Sequence, residues 1–269
     1  MSTYVMSDIH GCFDEFMQML DLINFSSADE LYVLGDVIDR GPEPIKCLQY
    51  CMDAENIHLL LGNHEYMMRC AYELGEKRLW YENGGRVTQR RFCALPLTER
   101  NMLYIYLTKR PCFAQLKVNN QEYVLVHAGI TKTWYSSDNL ADVLRRSIDD
   151  ESIIWQRNES ETVNTMTSLF PDKMLIHGHT PLVDGVCRQS ENVLNIDCAC
   201  VYGHNLACVR LEDQKVYYVS KSKNLGHRLV AFSLALLDLI CYTICRIISK
   251  VWQSDDQNCE RIRLELCAG

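Results

Sequence analysis

Five apolar runs in this chain end the same way. "YVMS" leads into Asp8-Ile9-His10-Gly11, and "YVLG" into Asp36, with Asp39 and Arg40 just beyond. "LLLG" leads into Asn63-His64-Glu65, "YVLV" into His127-Ala128-Gly129, and "MLIHG" into His179-Thr180. The inventory is two or more carboxylates, one amide oxygen and three imidazoles, with no thiolate among them. Such a set of oxygen and nitrogen donors suits two divalent first-row ions: manganese, iron or zinc. A carboxylate at the end of a buried strand is costly unless positive charge lies against it. Asp36 therefore reads as a bridge between two ions. Each motif alone is weak: Asn63 could merely cap a helix, and His179-Thr180 could be a plain turn before Pro181. Their shared position at strand ends carries the reading.

The elements that must deliver these ends are legible in the first half. "TYVMS" is followed by Phe13, Phe16, Met17, Leu20 and Ile23 at helical spacing. "LYVLG" leads past Pro42 and Pro44 into "IKCLQYCMDA", and "NIHLLLG" into "EYMMRCAYELG", which stops at Gly75. This is a βαβαβα rhythm, so the fold class is α/β with parallel strands. Ligand sites in such sheets form at the carboxyl ends of strands. Residues 84–109 read as helical and polar. The second half is richer in strands, among them "CFAQLKV", "EYVLVHA", "KMLIHG", "VLNID", "LACVRLE" and "KVYYVSK". "VNNQEY" reads as a hairpin turn in which Asn119 and Asn120 tolerate positive φ. Two sheets packed together with helices outside satisfy the pattern.

Composition narrows the function classes. The 269 residues allow one large domain or two small ones, and the net charge of −8 argues against a nucleic-acid partner. The 14 cysteines form no CxxC pair, and the chain enters a strand at once, so no secretory leader is expected. They read as reduced core residues of a cytoplasmic protein. Cys198 and Cys200 in "DCAC" alternate as on a strand and are a weak candidate for a soft-metal site, which would want two more ligands. Residues 229–245 are almost wholly apolar with basic flanks, and at ~1.5 Å per residue just span a bilayer core. Asp238 in the middle counts against a lipid-facing span. The segment is a candidate contact with a membrane or a partner. The expected organisation is a catalytic domain over residues 1–220 and an apolar helical extension over 221–269.

Taken together, Asp8-Ile9-His10-Gly11, Gly35-Asp36-Val37-Ile38-Asp39-Arg40-Gly41, Gly62-Asn63-His64-Glu65, His127-Ala128-Gly129 and Gly178-His179-Thr180 resemble the signature of the phosphoprotein phosphatase superfamily of calcineurin-like metallophosphoesterases. The likeness is to its compact bacterial and phage serine/threonine phosphatases and covers roughly residues 1–220. It implies a metallophosphoesterase fold, a central β-sandwich of mixed sheets flanked by helices. It also implies a metal held by Asp8, His10 and Asp36, and a second held by Asp36, Asn63, His127 and His179, with manganese the expected ion. His179 is taken over His177 on this ground. The resemblance makes His64 the proton donor, Asp39 its orienting partner and Arg40 a phosphate ligand. "IIWQR" resembles a later Trp-x-Arg segment, which makes Arg157 a second phosphate clamp.

The expected activity is hydrolysis of phosphoserine or phosphothreonine in proteins, by a hydroxide shared between the ions, with His64 protonating the leaving oxygen. The alternative is a bis(5'-nucleosyl)-tetraphosphatase or other nucleotide hydrolase on the same site. Such relatives tend to carry GNHD and to lack the Asp before the motif's Arg, whereas Glu65 and Asp39 are present here. Cys198-Ala199 stands where Thr-Gly is commoner. A third class, a non-catalytic docking module, would be signalled by a missing ligand, and all six are present.

Overall fold

The computed structural model describes residues 1–131 and 139–221. They fall in the unit Met1–Lys223. The apolar stretch 229–245, and all of the expected extension but Lys221, lie outside the described residues. Among the described residues no helix is long and apolar enough to cross a membrane.

The first half follows the expected rhythm: β1 (Thr3–Met6), α1 (Phe13–Leu22), β2 (Glu30–Val33), α2 (Pro44–Asp53), β3 (Ile57–Leu59) and α3 (Asn63–Glu73). Three helices follow, α4 (Arg78–Glu82), α5 (Arg86–Ala94) and α6 (Leu97–Thr108). The second half contains β4 (Phe113–Val118), β5 (Gln121–Val126), α7 (Leu140–Asp149), α8 (Ser152–Trp155) and α9 (Glu159–Leu169). It continues with β6 (Lys173–His177), β7 (Arg188–Ser190), β8 (Val193–Asn195), β9 (Asn205–Arg210) and β10 (Lys215–Ser220). The strands form two mixed five-stranded sheets, in the orders β10-β9-β1-β2-β3 and β4-β5-β6-β8-β7.

Register explains why the strand ends converge. β1, β2 and β3 are parallel, with Met6 opposite Val33 and Val33 opposite Leu59. The turns that follow therefore leave the sheet side by side. In the second sheet β5 and β6 are parallel, with Leu125 opposite Ile176, and end together in the same way. The β4–β5 hairpin pairs Val118 with Gln121 around Asn119-Asn120. Asn119 takes the left-handed conformation there, while Asn120 does not.

Period-two alternation sorts the strand residues into separate apolar layers. Val5, Leu34, Leu60, Tyr123, Leu125, Ile176 and Val209 fill the space between the sheets. Tyr4, Met6, Leu31 and Val33 face the other way, onto Phe16, Met19, Leu48 and Leu107 of the helices. Val124, Val126 and Leu175 do the same onto Val143, Leu144, Ile153 and Met166. Each such fully buried side chain stabilises the fold by about 1.5–3 kcal/mol.

The strain in this fold is local. Of twelve described non-glycine residues with positive φ, six are Asp8, His10, Asp36, Asp39, Arg40 and His179. Half the strained positions thus lie in the turns that carry the candidate site, at about 1–3 kcal/mol each. Ala199, with φ 56° and ψ 41°, is another. Left-handed backbone costs an alanine ~1–2 kcal/mol, against ~0.4–1 kcal/mol of extra unfolded-state freedom for glycine. The buried Ala199 methyl that would be lost is worth ~0.8 kcal/mol, so the effects nearly cancel. Ala199→Gly should change stability by less than about 1 kcal/mol, read from the urea midpoint; a larger loss would contradict this account.

Candidate metal centre

The turn after β2 is tight because Gly35 and Gly62 touch. A Cβ on Gly35, at φ 101°, would lie 2.5 Å from the Gly62 nitrogen. Glu65 then locks both loops. Its Oε2 accepts from the backbone N–H of Asp36 (2.8 Å) and Gly62 (3.1 Å), and its Oε1 from Val37 (3.0 Å) and Ile38 (3.3 Å). Burial pushes this carboxyl up, and the backbone donors oppose that shift. Glu65→Gln would turn an amide N–H₂ toward two of these donors. About 2–3 kcal/mol of stability should be lost, measured by urea unfolding with chelator so that metal loss does not contribute. An unchanged midpoint would show that Glu65 does not hold the turn.

Asn63, His127, His179 and Asp36 meet at one point. His127 Nε2 lies 2.9 Å from Asn63 Oδ1, 3.2 Å from His179 Nδ1 and 3.5 Å from Asp36 Oδ2. His179 Nδ1 lies 3.0 Å from Asn63 Oδ1. His127 Nδ1 is 2.8 Å from the Leu34 carbonyl, which can only accept, so Nδ1 carries the proton. Burial pushes His127 below the usual histidine range, so the ring is neutral and Nε2 presents a lone pair. That lone pair faces the Asn63 oxygen, another acceptor. Two acceptors 2.9 Å apart repel unless a cation lies between them. Donor separations of 2.9–3.5 Å are also the edges of a coordination polyhedron with bonds of about 2.1 Å.

Asp8, His10 and Asp36 form the neighbouring set. His10 Nδ1 is 2.8 Å from the Ile38 carbonyl, which leaves Nε2 as an acceptor 3.5 Å from Asp36 Oδ2. Asp36 Oδ2 thus lies 3.5 Å from a nitrogen of each set, which suits a bridging carboxylate. Asp8 Oδ2 accepts from Ser7 Oγ and from the His179 backbone N–H (3.0 Å). Gly178 lets that turn approach, since a Cβ there would strike Ser7 and Asp8. Burial first, then the charges of Asp8 and Glu65, push the Asp36 carboxyl well above its usual range. Crowded buried carboxylates, neutral imidazoles and facing lone pairs all fit two divalent cations. The structure therefore brings together all six residues expected as ligands.

His64 lies against this cluster, its Nε2 3.9 Å from Asp36 Oδ2. By distance it could join His10 and Asp36 around one ion. Its other nitrogen is engaged, however: Nδ1 is 2.6 Å from Asp39 Oδ2. Nε2 is buried without a partner. Asp39 is itself fixed by Trp80 Nε1 (2.8 Å) and Thr88 Oγ1 (2.5 Å). Burial pushes the Asp39 carboxyl well up, and burial with the Arg40 charge pushes His64 well down. The short Nδ1–Oδ2 contact fixes the ring so that Nε2 points at the cluster.

Arg40 reaches into the cluster. Its Nη1 donates to His10 Nε2 at 2.7 Å, and its guanidinium lies 5.6 Å from the Tyr202 ring centre. Arg157 is exposed, and its charge lowers His179 and His127. Trp155, two residues earlier, packs edge-on against His179 at 6.3 Å. Arg40 therefore faces the centre, and Arg157 lies on an exposed position near enough for its charge to reach it.

Sequence reasoning passed over four residues here: the clamp role of Glu65, Trp80 and Thr88 behind Asp39, and Asp197. Asp197 is buried, and its carboxyl is raised first by burial and then by Asp8. Its Oδ1 accepts from the Ala199 N–H at 3.0 Å. Glu65 had a signal in its place three residues past the helix cap, and Asp197 in the "NID" strand end. Trp80 and Thr88 sit in polar helices with no local signal. The expectation that Cys198 and Cys200 point the same way is corrected: left-handed Ala199 breaks the alternation. Cys198 meets Cys187, whereas Cys200 meets Cys12.

The calcineurin-like phosphoesterase family model matches residues 1–209. The chain is 27% identical to a symmetrical bis(5'-nucleosyl)-tetraphosphatase of Haemophilus ducreyi, over 83% of this chain and 100% of that protein. It is 28% identical to serine/threonine-protein phosphatase 1 of Salmonella typhimurium, over 78% of this chain and 91% of that protein. Among solved structures, the cold-active protein-tyrosine phosphatase of a psychrophilic Shewanella superposes with a TM-score of 0.55 at 20% identity, over 81% of this chain and 80% of that one. That likeness speaks to the fold alone.

Proposed function

The chain belongs to the calcineurin-like phosphoesterase family, and on that premise we propose that it hydrolyses bis(5'-nucleosyl) tetraphosphates. One observation carries this reading: the similarity to the symmetrical tetraphosphatase runs over the whole length of that relative. The expectation drawn from Asp39 and Glu65, a phosphoprotein substrate, becomes the second reading.

The chemistry of the site serves either substrate. Two divalent ions, when bound, supply an activated water and neutralise phosphoryl oxygens. Manganese is the metal proposed. Asp8, His10 and Asp36 would hold one ion, and Asp36, Asn63, His127 and His179 the other. Arg40 offers a guanidinium fork to the remaining phosphoryl oxygens, and Arg157 a second from the rim. His64 is aimed to give a proton from Nε2 to the leaving oxygen, while Asp39 fixes its orientation and makes the imidazolium tolerable in a buried place.

A specific observation favours the second reading, phosphoserine or phosphothreonine in a protein. The His64–Asp39 pair is fully buried and held by Trp80 and Thr88. A nucleoside diphosphate leaves as a stabilised anion and needs little protonation, whereas a serine alkoxide needs it fully. The deciding experiment gives one preparation both substrates with manganese: diadenosine tetraphosphate and a phosphothreonine peptide, each with a chelator control. Faster, chelator-sensitive formation of nucleoside diphosphate is the expected result. Faster phosphate release from the peptide would replace the first reading with the second.

A further inference from the structure

We propose that Cys187 and Cys198 are a reversible dithiol–disulfide pair that is oxidised by peroxide. Their sulfurs lie 3.6 Å apart. Cys187 precedes β7 and Cys198 follows β8, at the same end of an antiparallel pair that matches Arg188 with Asn195. The two thiols thus close one end of a short hairpin-like unit.

The two sulfurs are unequal. Cys187 is half-buried and open to a small oxidant, whereas Cys198 is buried. Either sulfur can donate in the contact between them. That contact lowers the Cys187 thiol, and the Tyr218 hydroxyl adds to the shift against the opposing effect of burial. Its greater exposure makes Cys187 the thiol that peroxide reaches first, and buried Cys198, 3.6 Å away, the resolving thiol. The thiolate attacks one peroxide oxygen, breaking the O–O bond; the other oxygen leaves as hydroxide and takes up a proton. Cys198 sulfur then attacks the resulting sulfenic sulfur and expels a second water. The sum is two thiols and hydrogen peroxide giving one disulfide and two waters.

The sulfurs must close to about 2.05 Å. The segment before Cys187 can supply that movement. Val183 and Val186 are exposed at 72% and 52%, and Gly185 between them has φ 73°. A backbone bond from Leu182 N–H to the Asp197 carbonyl (2.8 Å) already ties the segment to the residue beside Cys198. Cys12 and Cys200 also meet, but both are fully buried. The pair is independent of which phosphate substrate the centre takes.

The test is peptide mapping of the full chain after a small molar excess of hydrogen peroxide, without reductant. Cleavage after Lys173, Arg188 and Arg210 gives peptides 174–188 and 189–210, and Cys187 is the single cysteine of the first. The expected product is these two peptides joined through Cys187 and Cys198, lighter by two hydrogens and separated by dithiothreitol. Cys198→Ser should leave Cys187 as a sulfenic acid that a cyclic dione traps. Cys187 accumulating unlinked as sulfinic acid in the unaltered chain would overturn the proposal. So would a first link to Cys200 or Cys208.

Discussion

Asp36→Asn should leave a folded chain that no longer retains its metals. Asp36 Oδ2 is 3.5 Å from both His10 Nε2 and His127 Nε2, so a single oxygen serves both sets of donors. The amide keeps an acceptor for the His64 backbone N–H, now bonded to Asp36 Oδ1 at 3.0 Å. It loses the negative charge that two dications need. The loss in metal affinity should exceed the ~10–100-fold typical of residues that only support a ligand. Metal content after equilibrium dialysis against manganese reads this directly. Urea unfolding in chelator supplies the complement. There the variant should be at least as stable as the parent, because burial already disfavours the Asp36 charge. Full metal retention would remove Asp36 from the bridge.

His64→Asn should separate binding from proton transfer. Both donor sets are complete without His64, so metal content should hold. On a phosphoserine peptide, turnover should fall by ~10²–10⁴. On an activated aryl phosphate the loss should be much smaller, because that leaving group needs little protonation. Diadenosine tetraphosphate should behave like the aryl ester for the same reason. An equal loss on all three substrates, with metals retained, would mean that His64 positions rather than protonates.

Strand ends and their donors were readable because the chemistry is local. "GDVIDRGP" shows a buried strand breaking into carboxylates within a few residues, and the βαβαβα rhythm places three such breaks in one row. The support for these residues was not readable, because it comes from afar. Trp80 and Thr88 reach Asp39 across 41 and 49 residues. α9 is rich in Ser, Thr and Asn, which mask its apolar period, and α8 is a single turn. α7 does carry a clear apolar face, with Val143 and Leu144 buried, and was legible but passed over. "DCAC" misled because period-two reasoning assumes extended backbone, and Ala199 leaves it. The choice between substrates was not legible in Glu65, whose four backbone bonds give it a scaffolding duty under any substrate.

The donors are divided between the two sheets. Asp8, His10, Asp36 and Asn63 follow strands of the first, whereas His127 and His179 follow strands of the second. The bond from the His179 N–H to Asp8 Oδ2 joins residues 171 apart in the chain. Bound ions would therefore act as a clasp between the halves of the sandwich. Ligand bound only by the native state adds about 2.7 kcal/mol at a hundredfold excess over Kd. Neither half of the chain can assemble the clasp alone, so the centre requires the long-range closure of the two sheets. Metal supply would then set how firmly the two sheets are held together, as well as whether the centre is competent.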